Sequence, residues 1–127
     1  MSATNLPKQL LIVDDSKVSR MLIKAHILAL HADWIIREAA SGDDALQMVQ
    51  EQQPDYCTMD INMPGMLGTE ATEIILAKYP KVRVVVFSAN IQESVQSRAQ
   101  KMGAMFVAKP VTEKSIARAL GFFTENL

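Results

Sequence analysis

Four short apolar runs in this chain each stop at a residue with a charged or hydroxyl side chain, and that punctuation constrains the fold more than any other feature. Leu10-Leu11-Ile12-Val13 stops at Asp14-Asp15, Tyr56-Cys57-Thr58-Met59 at Asp60, residues 82–87 at Ser88, and residues 104–108 at Lys109. Runs this short, bounded by turn signals and separated by helical periodicity, read as strands of a parallel sheet buried on both faces. Ligands of such sheets bind beyond the carboxyl ends of the strands. Three carboxylates, a hydroxyl and an ammonium group are therefore expected to share one rim.

Between these runs the pattern alternates strand and helix five times. A first helix is expected over residues 16–30, with Val18, Met21, Leu22, Ala25 and Leu28 or Ala29 as its core stripe. Residues 34–37 form the expected second strand. Ser41 and Gly42 open a second helix carrying Ala45, Leu46 and Val49, with Asp43 and Asp44 well placed in its first turn. The third strand, 56–59, leads into an Asn62-Met63-Pro64-Gly65 turn. A third helix is expected over 69–78, ending before Pro80, and a fourth starts at a capping-box-like Asn90 with Glu93 and ends near Gly103. Thr112 caps a fifth, with Ile116, Leu120 and Phe123 facing inward. Right-handed crossovers leave few windings for such units. The doubly wound order 2-1-3-4-5 sets the ends of strands 1 and 3 at its switch point, where Asp14, Asp15 and Asp60 lie. The expected architecture is one α/β domain over residues 1–127, with its core at about 9–124.

Composition removes several function classes. With 49% hydrophobic and 21% charged residues, the 127-residue chain is ordinary for a globular domain. Thirteen basic residues against 14 acidic give a net charge of −1, without the basic excess that nucleic-acid binding calls for. No apolar run approaches the ~20 residues of a membrane span, and residues 1–5 lack a signal-peptide pattern. Cys57 is the only cysteine, so no internal disulfide is possible and a cytoplasmic location is expected. His26 and His31 lie five apart, outside the spacing of three or four that helical metal ligands prefer, and are assigned no chemistry. Cys57 reads as a small buried hydrophobe, and Arg37-Glu38 receives no role.

Three crowded carboxylates repel, and Lys109 offsets only one of them. A divalent cation with a preference for oxygen would offset the remainder. Mg2+ suits carboxylates, a backbone carbonyl and waters, and commonly bridges to phosphate oxygen. A carboxylate is itself a competent phosphoryl nucleophile. Asp60, alone at the end of a central strand with Ser88 and Lys109 on the following ones, is the expected nucleophile.

Taken together, Leu11-Ile12-Val13-Asp14-Asp15-Ser16, Met59-Asp60-Ile61-Asn62-Met63-Pro64-Gly65, Phe87-Ser88-Ala89 and Lys109-Pro110 make the chain similar to the receiver domain of two-component response regulators, a flavodoxin-like fold. The resemblance extends from about Gln9 to Phe123. It implies that Asp60 takes a phosphoryl group from the phosphohistidine of a histidine kinase, and that the domain catalyses its own phosphorylation and dephosphorylation without being an enzyme in the usual sense. It implies Mg2+ held by Asp14, Asp15, Asp60 and the backbone carbonyl of Asn62, with Ser88 and Lys109 sensing the phosphoryl group. Phe106 takes the place of the aromatic residue that turns inward when Ser88 moves, and Lys109-Pro110 the place of a cis peptide. Phe106 stands where some members have tyrosine, and Ser88 where many have threonine.

Two other readings use parts of the same pattern. A flavodoxin-like cofactor-binding protein needs a phosphate-cradling loop after strand 1, where this chain has Asp14-Asp15-Ser16-Lys17. An Mg2+-dependent phosphohydrolase of the haloacid-dehalogenase type resembles its relatives in placing the nucleophile after strand 1, whereas here the lone aspartate follows strand 3. A stand-alone, chemotaxis-type regulator is expected, acting through a protein partner or passing the phosphoryl group onward in a phosphorelay. The partner, or a second copy, is expected on the face made by residues 91–101, 105–108 and 112–124, with Gln92, Gln96, Glu113 and Arg118 as contacts. No direct contact with nucleic acid and no membrane insertion are expected.

Overall fold

The computed structural model describes residues 6–125; the outermost residues of the expected 1–127 domain lie outside that range. Five strands, β1 (Gln9–Val13), β2 (Ile35–Ala39), β3 (Tyr56–Met59), β4 (Arg83–Ser88) and β5 (Met105–Ala108), form one sheet in the order β2-β1-β3-β4-β5, and every pairing is parallel. Five helices alternate with them: α1 (Lys17–Leu30), α2 (Gly42–Glu51), α3 (Gly68–Lys78), α4 (Glu93–Lys101) and α5 (Glu113–Phe123). The expected doubly wound architecture is the observed one.

The alternation of side chains along each strand divides the core in two. Leu11, Val13, Cys57, Met59, Val84 and Val86 face α2, α3 and α4, and Phe106 joins them. Leu10, Ile12, Tyr56, Val85, Phe87 and Val107 face α1 and α5, meeting Ile23, Ile27, Ile116, Leu120 and Phe123. Ser16, Ser41 and Thr112 cap α1, α2 and α5, each side-chain oxygen accepting a backbone N–H three residues on.

Three expectations need correction. The stripe assigned to the core side of α1 faces outward: Val18 is 66% exposed, Met21 58% and Leu22 45%, while Ile23 and Ile27 are buried. This helix carries apolar residues on two flanks, and periodicity alone cannot choose between two stripes one residue apart. The second strand runs later than expected, over Ile35–Ala39, because it is an edge strand with one fully buried residue, and Trp34 packs into the core just before it. Helix α4 has no side-chain cap. The Asn90 carboxamide oxygen instead accepts the Gln92 N–H, a local turn that delays the helix to Glu93.

Two buried hydroxyls, those of Thr58 and Thr72, are poorly matched to their surroundings. Thr58, 1% exposed and flanked in the sheet by Ile12 and Val85, has no hydrogen-bond partner for its hydroxyl among the described residues. An unpaired buried hydroxyl costs about 1–3 kcal/mol. Thr58→Val, which keeps the branched shape, is expected to stabilise the fold by about 1 kcal/mol in urea unfolding. A loss of stability would show that the hydroxyl is paired after all.

Candidate phosphoryl and metal site

The rim above the carboxyl ends of β1, β3, β4 and β5 gathers the charged residues. Asp14 follows β1, and its backbone N–H donates to the Ala39 carbonyl at 3.1 Å. Asp60 follows β3, its N–H donating to the Val13 carbonyl at 2.9 Å, which draws the two carboxylates together across the switch point. Ser88 is the last residue of β4, and the Lys109 N–H donates to its carbonyl at 2.9 Å. The Lys109–Pro110 peptide is cis.

One carboxylate oxygen from each of Asp14, Asp15 and Asp60 lies within 4.8 Å of the others. Their surroundings differ. Asp14 is buried, accepting the Ser16 N–H at 2.9 Å on Oδ1 and the Lys109 ammonium at 2.8 Å on Oδ2. Asp60 is also buried; its Oδ1 accepts the Ile61 N–H at 2.9 Å and stands 3.8 Å from the Lys109 Nζ. Asp15 and Asn62 are exposed at the mouth. The donor set is entirely oxygen and carries an excess of negative charge, which fits a hard divalent cation such as Mg2+.

Burial, reinforced by the neighbouring Asp14 and Asp15 charges, pushes the Asp60 carboxyl up to about 6, against the opposing pull of Lys109 and the Ile61 N–H. An unfolded chain releases this proton near the ordinary value of 3.8 and the folded one only near 6. This group's contribution to the stability of the metal-free protein is therefore fully present below about 4 and is lost as pH rises through 6. A divalent cation held at this carboxylate would compete with the same proton, so Mg2+ affinity is expected to rise between pH 5 and pH 7, measurable by calorimetry at the two ends. A flat profile would mean that Asp60 is not part of the cation site.

Ser88 is fully buried; its Oγ accepts the Asn90 N–H at 3.0 Å, leaving the hydroxyl proton free to donate elsewhere. Phe106 is 8% exposed, its ring packed in the α2–α3–α4 side of the core. Cys57 lies inside β3, where burial pushes its thiol up to about 12, and His31 stacks on Trp34 at 4.3 Å.

Three residues at or beside the site, Gly68, Arg20 and Glu38, escaped the sequence reading. Gly68 begins α3 directly against the Asp60 backbone: a Cβ there would lie 1.8 Å from the Asp60 carbonyl oxygen. Glu38, assigned no role above, accepts the Arg20 Nε at 2.9 Å, and Arg20 reaches the pocket by donating from Nη1 to the Asp14 backbone carbonyl at 2.7 Å. A contact between backbones leaves no side-chain signature, and nothing in one sequence pairs position 20 with position 38.

The fold order and this rim define a class, and the family comparison agrees. Residues 10–121 match the model of the response regulator receiver domain, and the chain belongs to that family. It is 36% identical over 114 residues to the chemotaxis protein CheY of Thermotoga maritima, covering 89% of this chain and 94% of that one. It is also 36% identical over 97 residues to the transcriptional regulatory protein DegU of Brevibacillus brevis; the match takes in 76% of this chain but spans only 41% of that regulator. Among solved structures, the CheX-CheY-BeF3-Mg2+ complex of Borrelia burgdorferi contains a chain that matches with a TM-score of 0.85 and 26% identity, covering 93% of this chain and 90% of that one. The chain is thus a CheY-like receiver domain of two-component signalling. Among the described residues no helix is long and apolar enough to cross a membrane.

Proposed function

We propose that this domain accepts a phosphoryl group on Asp60 from the phosphohistidine of a histidine kinase or phosphotransfer protein, and thereby switches its binding to a protein partner. The observation that carries this reading is the meeting of Asp14, Asp15, Asp60 and Lys109, from three strand ends, within one small rim pocket. An Asp60 carboxylate oxygen attacks phosphorus; the P–N bond of the donor breaks, and its electron pair stays on the imidazole nitrogen. Asp14, Asp15, Asp60 and the Asn62 carbonyl would hold Mg2+, which when bound would neutralise charge on the phosphoryl oxygens.

The remaining residues bind and report. Lys109, which lies between Asp14 and Asp60, pairs with one phosphoryl oxygen. Ser88 donates its free hydroxyl proton to another. With the Phe106 ring already packed inward, phosphorylation holds that arrangement and shifts an existing equilibrium toward it. The exposed mouth at Asn62 and Ala89 leaves room for water, whose attack on phosphorus returns the Asp60 carboxylate.

The surface coupled to Ser88 and Phe106 is the α4-β5-α5 face, and we infer that a downstream protein or a second copy binds there. Gln92, Glu113 and Arg118 are exposed on it; Gln96 is half-buried, its carboxamide donating to the Ile91 carbonyl at 2.8 Å, which makes it a poorer contact than its neighbours. The lone buried thiol agrees with a cytoplasmic setting.

Incubation with acetyl phosphate and Mg2+ tests the reading. One phosphoryl group per chain is expected, stable to acid, labile to base, and absent when EDTA is added. Undiminished labelling in EDTA would overturn it. Continuous turnover of a generic phosphate ester would point to the phosphohydrolase alternative, and flavin absorbance in the purified protein to the cofactor-binding one.

A further inference from the structure

We propose that Arg20 is a positioning residue for the cation pocket, acting through the peptide that joins Asp14 to Asp15. The proposal rests on the reading of the acidic cluster as a cation site. Arg20, in the first turn of α1, donates from Nη1 to the Asp14 backbone carbonyl at 2.7 Å and from Nε to Glu38 on β2 at 2.9 Å. Its side chain is only 15% exposed, which is low for an arginine beside a helix end.

The sheet explains why that carbonyl needs a partner. In a strand, the N–H and C=O of one residue face the same neighbour. The Asp14 N–H is bonded to Ala39, so the Asp14 carbonyl also points toward β2. β2 ends at Ala39, and the amide that would continue the ladder belongs to Ser41, where the chain has already turned to cap α2. The Arg20 guanidinium takes that amide's place, with Glu38 fixing the fork from the other side.

The consequence falls on Asp15. Asp14 is oriented by Ser16 and Lys109, and Asp60 by Ile61. Among the described residues no protein donor holds the Asp15 carboxylate, so its direction depends on the backbone that carries it. Arg20 sets the plane of the preceding peptide and so aims Asp15 into the cluster. Groups that orient metal ligands in this way typically contribute 10–100-fold in metal affinity.

Charge and position predict opposite signs, which makes the test decisive. Removing a cation near an acidic pocket should strengthen Mg2+ binding by simple electrostatics. Loss of positioning should weaken it. Calorimetric titration of Mg2+ into the metal-free protein is expected to show about tenfold weaker binding in Arg20→Gln. The control is Arg37→Gln, which removes another arginine tying β2 to α2 through the Met48 and Gln52 carbonyls, away from the pocket. It should lower the thermal midpoint without weakening Mg2+ binding. Should Arg20→Gln not fold, Arg20→Lys serves, because it keeps the charge opposite Glu38 but not the rigid fork; severalfold weaker binding is expected. Unchanged or tighter binding in the Arg20 variants, or an equal loss in Arg37→Gln, overturns the proposal while leaving the cation site intact. Absence of Mg2+ binding by the unmodified protein overturns both.

Discussion

Asp60→Asn is expected to take no phosphoryl group from acetyl phosphate and Mg2+ while melting at a higher temperature than the unmodified domain at neutral pH. The loss of labelling follows from chemistry: a carboxamide keeps the shape of the carboxylate but not its nucleophilic charge. The gain in stability follows from the surroundings. Burial and the Asp14 and Asp15 charges hold the Asp60 carboxyl near 6, so above that pH the folded state carries an ionised group that its environment disfavours. A neutral side chain of the same size relieves that strain, and the Ile61 N–H keeps an oxygen acceptor. Intact-mass measurement gives the first quantity and a metal-free thermal melt the second. Labelling equal to the unmodified protein would place the acceptor elsewhere. A lowered melting point would mean that the cluster's repulsion is already compensated without metal.

Much of this site is visible in the order of the residues. Each of Asp14, Asp60, Ser88 and Lys109 ends or follows an apolar run, and for a parallel sheet the end of a strand is a place in space as well as in sequence. Strand order then does the remaining work, because β1 and β3 are neighbours and their terminal carboxylates must approach. The central strands β1, β3 and β4 were legible for the same reason: nearly every side chain in them is buried, so composition alone marks them.

Legibility fails where a residue's environment comes from a distant element. β2 alternates weakly because its edge position leaves most of its residues at least partly exposed. α1 carries apolar residues on both flanks, and only the packing of Ile23 and Ile27 against Leu10, Ile12 and Phe123 decides which flank is inside. Its outward residues, Val18, Met21 and Leu22, remain an apolar stripe beginning just after the Asp14-Asp15 pair. Arg20 and Glu38 look like ordinary surface charges until β1 and β2 are paired.

Gly68→Ala is expected to destabilise the domain by about 3 kcal/mol or more and to reduce phosphorylation even where the variant remains folded. Gly68 is not a glycine of unusual backbone angle; those are Gly65 and Gly103, with φ of 79° and 88°. Its role is close approach. A Cβ at this position would lie 1.8 Å from the Asp60 carbonyl oxygen, 2.7 Å from the Asp60 carbonyl carbon and 2.9 Å from the Ile61 Cα, all of them backbone atoms. The Gly68 N–H donates to the Ile61 carbonyl at 3.0 Å, so α3 is seated on the segment that carries Asp60. No rotamer change relieves such a contact; α3 or the Asp60 segment must move, and overpacking against rigid neighbours costs about 1–3 kcal/mol and occasionally more. Movement of Asp60 also disturbs its spacing to Asp14, Asp15 and Lys109. Gly121→Ala supplies the contrast, since its Cβ meets nothing within 4 Å and the position lies inside α5. There the same substitution should stabilise by about 0.5–1 kcal/mol through helix propensity alone. Urea unfolding of the two variants should thus move in opposite directions. A Gly68→Ala variant as stable as the unmodified domain, and labelled as fast, would show that α3 does not rest against Asp60 in solution.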